Sequence, residues 1–140
     1  LPLISAVYVG LAESATVIAL DAAKRNGAVL AGVAGELLND LTIAELALND
    51  MVRQNDNYGF TPSLDRVNDA LARKAIVATQ VKAAVETAAE LVGGPGFYRG
   101  HAIERIVRDV RAMHYHPLPL RRQQVFSGRL AMGLDPVGEA

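Results

Sequence analysis

Residues 61–96 read TPSLDRVNDALARKAIVATQVKAAVETAAELVGGPG and predict one long helix that decides the fold. Thr61 is the expected N-cap and Pro62 the first helical residue, because proline is tolerated where a helix needs no backbone N–H. The Gly-Gly-Pro-Gly run at 93–96 ends the helix. About 30 residues at about 1.5 Å each make a rod about 45 Å long. Lys74 is the one polar member of its apolar series. The apolar members are Leu64, Val67, Leu71, Ala78, Val81, Val85, Ala88 and Val92.

Helical patterns lie on both sides of this rod, and no stretch alternates in the manner of a β-strand. Long helices joined by short loops become antiparallel neighbours. The sequence therefore predicts an all-α, up-and-down four-helix bundle with a short extra helix around Ile103 to Arg111. On that extra helix, Arg105, Arg108 and Asp109 are interpreted as ion-pairing residues that hold it against the bundle. The short helix extends at most from about Ala102 to Ala112, and the other helices are predicted from about Pro2 to Arg25, Val29 to Gln54 and Leu120 to Met132.

The composition bounds the class of protein. The 140 residues fit one domain, and the lack of cysteine excludes disulfides and thiolate chemistry. Lys and Arg number 14 and Asp and Glu 15, so no charge excess points to nucleic acid or an acidic membrane surface. The apolar run from Leu1 to Leu20 contains Glu13 and no basic cluster precedes it, which favours a buried helix over a membrane span or signal. We expect a cytoplasmic protein, of which this chain, starting in mid-pattern without Met, is a piece.

A charged run follows the glycine turn at a short distance. The turn GGPGF occupies residues 93–97, and RIVRDVR occupies residues 105–111. Together they resemble the C-terminal signature of acyl-CoA dehydrogenases, a Gly-Gly-x-Gly-aromatic turn followed by Arg-x-x-Arg-Asp-x-Arg. The resemblance implies that residues 1–140 form the C-terminal helical domain of a larger flavoprotein, with an N-terminal helical and a middle β-domain upstream. It also implies a homo-oligomer, a dimer or tetramer, whose subunits pair through this bundle.

The same resemblance implies which residues meet the cofactor. In this family FAD lies between the middle and C-terminal domains, and the Gly-Gly turn approaches the adenine-diphosphate half of an FAD bound to a neighbouring subunit. Gly93, Gly94 and Arg111 are the candidate FAD contacts. The glycines fit because backbone without a Cβ atom can come close to a ligand, and the side chain of Arg111 can reach a cofactor. We expect the isolated chain to hold FAD weakly and to be inactive, because much of the site belongs to the middle domain.

The catalytic base of the family has no evident counterpart in this chain. Acyl-CoA dehydrogenases remove the α-proton of an acyl-CoA thioester with a glutamate while hydride passes to the flavin, yet no glutamate lies between Asp109 and Glu139. His116 occupies the corresponding region and is the candidate acid or base, with the ordering of a proline turn as the competing interpretation. His114 is interpreted as structural. Because the two histidines share no helical face and no carboxylate cluster accompanies them, no metal site is predicted.

Three functions stay open on these residues. The leading one is an FAD-dependent oxidation of an acyl thioester, as in the acyl-CoA dehydrogenases. The second is a flavin-dependent monooxygenase or oxidase, since related monooxygenases share the fold and carry a histidine just after an Arg-Asp motif. The third is a non-enzymatic helical interaction domain, because a helical bundle by itself does not specify a reaction.

Overall fold

The computed structural model describes residues 1–138 and confirms the predicted all-α bundle. Within that part of the chain, five α-helices are joined by short 3₁₀ turns and loops, and there is no strand. The long third helix packs against each of the other four. The helices are α1 Pro2–Lys24, α2 Ala31–Asn55, α3 Leu64–Val92, α4 Ala102–Val110 and α5 Leu120–Ala131.

Small side chains dominate the centre of the bundle. Alanines of α1 and α3 are fully buried beside branched valines of α3, and α2 adds Leu37 and Ala44 to the same core. Because the distance between packed helices depends on the side chains at the contact, alanine lets their axes approach closely. The small or branched residues of α1 and α3 with 0% exposure are Ser5, Ala12, Ala15, Ala19, Val77, Val81, Ala84, Val85 and Ala88.

Helix α1 has a buried side and an exposed apolar side. Two segments, Pro2–Lys24 and Gly27–Tyr58, are long and apolar enough to cross a membrane by length and composition alone, a test that core helices also pass. In this bundle α1 contributes Tyr8, Val9 and a row of alanines to the core. Its outer side leaves three large apolar side chains in solvent: Leu3, Val7 and Val17.

The start of α3 differs from the sequence prediction. Ser63 and not Thr61 is the N-cap, and its Oγ accepts a hydrogen bond from the backbone N–H three residues on at 3.2 Å. Pro62 therefore precedes the helix and does not begin it. Serine and threonine are similar caps, so the pattern alone could not decide between the two hydroxyls. The first turn of α3 is exposed, and its buried seam begins at Leu71.

Apolar contacts hold α4 against the bundle, and the predicted ion-pair attachment is wrong. Arg105 is exposed, and the Nε of Arg108 pairs with its chain neighbour Asp109 at 3.0 Å from Oδ1. That pair is open to water and bridges to no second helix, and such pairs contribute only about 0–1 kcal/mol. The buried positions of α4 are Ile103, Ile106 and Val110.

Both ends of α4 are set by its neighbours in the chain. His101 is the N-cap: its Nδ1 accepts a hydrogen bond from the N–H of Ile103 at 3.2 Å. The helix ends at Val110, two residues earlier than predicted, and continues as a 3₁₀ turn over Arg111–Tyr115. This tighter turn carries the chain to His116, where the backbone becomes extended.

Replacing Ile103 by Ala should lower the free energy of unfolding by about 2–5 kcal/mol, because the deletion leaves a cavity in the core. The matched variant Arg105→Ala, on the exposed side of the same helix, should change it by less than about 0.5 kcal/mol. Urea denaturation followed by circular dichroism measures both. Equal losses in the two variants would restore the ion-pair interpretation.

Candidate functional site

The glycine turn after α3 forms one wall of an open groove. Gly93 has φ +71° and ψ −152°, a conformation that L side chains rarely adopt, so glycine is required there. Gly96 is buried on the inner side of the turn, where an added Cβ would lie 3.1 Å from Cγ1 of Val92 and 3.4 Å from Cγ2 of Ile103. The missing side chain at Gly96 therefore lets the turn lie flat against the start of α4.

The groove runs between this turn and α4 and has a volume of about 820 Å³. On the turn, Phe97 and Tyr98 present two exposed rings whose centroids are 6.0 Å apart and whose planes meet at 78°. Such rings can stack on a flat aromatic ligand. Three of the four charged side chains of the groove are cationic, so it favours an anion. The four are Arg99, Arg108, Arg111 and Glu104.

Two of the three residues predicted to contact FAD meet in this groove. Gly93 lines it from the turn, and Arg111 lines it where α4 passes into the 3₁₀ turn. Gly94 lies exposed next to Gly93, and apart from its chain neighbours no atom of residues 1–138 lies within 4 Å of where its Cβ would be. Glu90, one helical turn before Gly93, is exposed and does not line the groove.

A second polar site lies where α1 meets the segment between α4 and α5. The Oη of Tyr8, on α1, lies 2.6 Å from the Nε2 of His116, and the two ring centroids are 5.5 Å apart. Tyr8 is 8% exposed, and this burial, with a smaller contribution from Asp109, raises the pKa of its phenol. The phenol therefore keeps its proton near neutral pH and can donate it in a hydrogen bond to the imidazole. A phenol and an imidazole in contact can pass a proton to or from a bound substrate.

Lys74 lies beside this pair, on the buried seam of α3. Its Nζ donates hydrogen bonds to the backbone carbonyls of His116, at 3.0 Å, and of Leu118, at 3.1 Å. The residue is 1% exposed, and burial lowers the pKa of its amine. Lys74, the polar residue that interrupts the apolar series of α3, thus binds the backbone of the segment that carries His116.

The sequence pattern did not identify Tyr8 as a partner of the candidate histidine. The two residues are 108 positions apart, and Tyr8 stands in an apolar run where a tyrosine reads as part of the core. Lys74 gave a usable signal, since a lysine at a buried helical position needs a partner. Its acceptors are backbone carbonyls, which every residue has, so no pattern of residue types could find them.

His114 is half-buried, with one of its two ring nitrogens enclosed. Its Nε2 is buried, and no atom of the described residues bonds to it. Burial lowers the pKa of the imidazole, and the positive charges of Lys82 and Lys74 lower it further, against a smaller opposite effect of Glu86. His114 is therefore neutral at neutral pH. Within residues 1–138 no group of three or more His, Asp or Glu side chains is arranged to hold a metal ion.

Comparison with known proteins assigns the chain to a family. The family of acyl-CoA dehydrogenase C-terminal domains matches residues 2–115. The chain belongs to the acyl-CoA dehydrogenase family. The amino sugar nitrososynthase DnmZ of Streptomyces peucetius is 28% identical over 144 aligned positions, which cover 91% of this chain and 34% of that protein. The chain thus spans about a third of the length of that relative. No solved structure matches it.

The match confirms the family that the glycine turn and the arginine run indicated. The residues 2–115 of this acyl-CoA dehydrogenase domain include the groove contacts Gly93 and Arg111 as well as Tyr8 and Lys74. His116 is the first residue after the matched range. The roles of these individual residues stay predictions.

Acidification should destabilise the chain through His114. Because the folded-state pKa of His114 is lowered, the unfolded chain binds more protons, and the free energy of unfolding falls as pH drops below the unfolded histidine pKa of about 6.5. Urea titrations at about pH 7.5 and about pH 5.5 bracket that value. The difference should shrink in His114→Phe and persist in the control His101→Asn, which keeps an N-cap acceptor. An unchanged difference in His114→Phe would contradict this assignment.

Proposed function

We propose that this chain is the C-terminal domain of an FAD-dependent oxidoreductase. In this proposal the groove beside Gly93 takes the adenine-diphosphate half of FAD, and the Tyr8–His116 pair acts on a proton at the active site. The observation that carries the proposal is the convergence of a glycine turn and three arginines on one groove. When bound, FAD supplies the redox chemistry, and this domain supplies binding, orientation and proton handling.

The residues of the groove fit a dinucleotide cofactor. Gly93 and Gly94 carry no side chain, so phosphate oxygens can approach this stretch of backbone closely. The N–H of Gly93 already donates to the carbonyl of Ala89 at 3.0 Å, so we assign the phosphate contact to the N–H of Gly94. Arg99, Arg108 and Arg111 carry positive charge toward the same space, and guanidinium groups bind phosphate in a bidentate manner. The exposed ring of Phe97 offers a surface for the adenine.

The FAD that meets this groove belongs, in our proposal, to a neighbouring copy of the protein. The family arrangement implies such an exchange, and the exposed apolar side chains of α1 and α2 support pairing of the bundle with a second copy, as a dimer or tetramer. The isolated chain should then hold FAD weakly. The large apolar residues exposed on these helices are Leu3, Val7, Val17, Leu38, Ile43, Leu46 and Val52.

Oxidation of an acyl-CoA thioester is the leading reaction, because it is the family's own chemistry. Oxygenation is the second candidate, and two observations favour it. First, no glutamate occurs in residues 110–138, and His116 of that segment contacts Tyr8. Second, the relative that aligns over most of this chain is named an amino sugar nitrososynthase.

Bleaching of the flavin absorbance by an acyl-CoA alone, without oxygen, would support dehydrogenation. Oxygen uptake that requires a separate reductant would support oxygenation.

Arg111→Ala should weaken FAD binding to the complete oligomer about tenfold to a hundredfold, because a charge-assisted hydrogen bond contributes about 1.5–3 kcal/mol. Arg105→Ala is the matched control, since it removes an exposed arginine of α4 that does not line the groove. Flavin absorbance per subunit after dialysis reports the binding. Equal flavin loss in both variants, or none in either, would contradict the assignment of the groove to FAD.

His116→Ala should lower turnover of the complete enzyme by about a hundredfold to ten-thousandfold, the usual cost of losing a general acid or base. The free energy of unfolding should fall by only about 1 kcal/mol, the contribution of one hydrogen bond, so the melting temperature should change little. Turnover and melting are measured on the same sample. Near-normal turnover with a lowered melting temperature would make His116 a turn-ordering residue.

A further inference from the structure

A buried lysine on α3 holds the segment that carries the candidate catalytic histidine. Lys74 is 1% exposed and lies in the apolar seam between Leu71 and Val77. None of the ion pairs within residues 1–138 includes it. Its Nζ donates to two backbone carbonyls, those of His116 and Leu118. A buried amine without a carboxylate partner is costly, so its hydrogen bonds must be the reason for its position.

The two hydrogen bonds fix the backbone on both sides of Pro117. One acceptor is the carbonyl of His116 itself, and the other follows two residues later. Proline restricts φ and has no N–H, so the segment has few other means of attachment. With its backbone held from α3, the imidazole of His116 has its Nε2 2.6 Å from the Oη of Tyr8 on α1. Three separate parts of the chain meet at this point.

A purely structural lysine would be a poor choice for this seam. A lysine without an ionic partner costs more to bury than an apolar side chain of similar volume, so packing in the core alone favours methionine or leucine at position 74. Lysine is useful here because its long stem crosses the seam and its head carries three donors. What it adds over methionine is a fixed backbone position for the residues that follow the 3₁₀ turn.

We propose that Lys74 is a positioning residue: by hydrogen bonding to the carbonyls of His116 and Leu118, it holds the His116 imidazole against the Tyr8 hydroxyl. The inference deepens the proposed function, on which the catalytic importance of that contact rests. Lys74 itself touches neither substrate nor cofactor in this assignment. The contact between the two rings is nevertheless a property of the chain alone, so it can be measured without substrate.

Lys74→Met removes the donors and keeps the length of the side chain, while Lys74→Arg keeps the donors. Lys82→Met is the control, because Lys82 lies on the same helix and pairs with Glu86 at the surface. Nuclear Overhauser effects between the Tyr8 and His116 rings of the isotopically labelled chain report the contact. We expect them to vanish in Lys74→Met, to return at least in part in Lys74→Arg, and to be unchanged in Lys82→Met.

In the complete enzyme, Lys74→Met should lower kcat about tenfold to a hundredfold with KM nearly unchanged, because a misplaced catalytic group costs up to about a hundredfold. The further change Tyr8→Phe should lower kcat little beyond Lys74→Met, since both changes remove the same contact between Tyr8 and His116.

If Lys74→Met does not fold, Lys74→Gln, too short to reach both carbonyls, should give the same loss of ring contact. Ring contacts that persist in a folded variant lacking the lysine would overturn the proposal. If the ring contacts are lost in Lys74→Met but His116→Ala turns over normally, the positioning role of Lys74 is upheld and the proposed function of His116 is refuted.

Discussion

Close packing along α3 is the constraint on which the remaining structure depends. From Val77 to Ala88 its inward side chains are small or branched and fully buried, and α3 touches every other helix. Because small side chains bring helix axes together, the backbones of α1 and α3 are near enough for a tyrosine on one and a lysine on the other to reach the same loop.

Each of the two candidate sites depends on a different part of α3. The glycine turn that follows its last residue forms the groove, and Lys74 in its first half holds the segment after α4. Helix α4 connects them: buried Ile103 and Val110 fasten it to the bundle, Arg111 faces the groove, and His116 lies at the end of the next turn. This connection fixes the distance between the two candidate sites, because both ends of α4 are held by the same apolar packing.

Burial changes the protonation of the polar groups that the bundle encloses. It raises the pKa of Tyr8 and lowers those of Lys74 and His114, so in each case the uncharged form is favoured relative to water. The phenol thus stays a donor and the His114 imidazole stays neutral, while the hydrogen bonds of Lys74 offset part of its desolvation. The chemistry of this end of the domain therefore comes from enclosure by apolar helices more than from nearby opposite charges.

The sequence by itself determined the helices, the bundle, the family, and the turn and arginine run that define the groove, because helical periodicity and glycine conformation are local properties. It could not choose Ser63 over Thr61 as the cap of α3, since either hydroxyl serves. It also predicted that ion pairs attach α4 to the bundle, whereas the buried side chains of Ile103, Ile106 and Val110 attach it. Only the tertiary structure decided that Tyr8 and Lys74 meet His116. These contacts join residues 42 or more positions apart, and two of them end on backbone carbonyls, which carry no residue-specific signal.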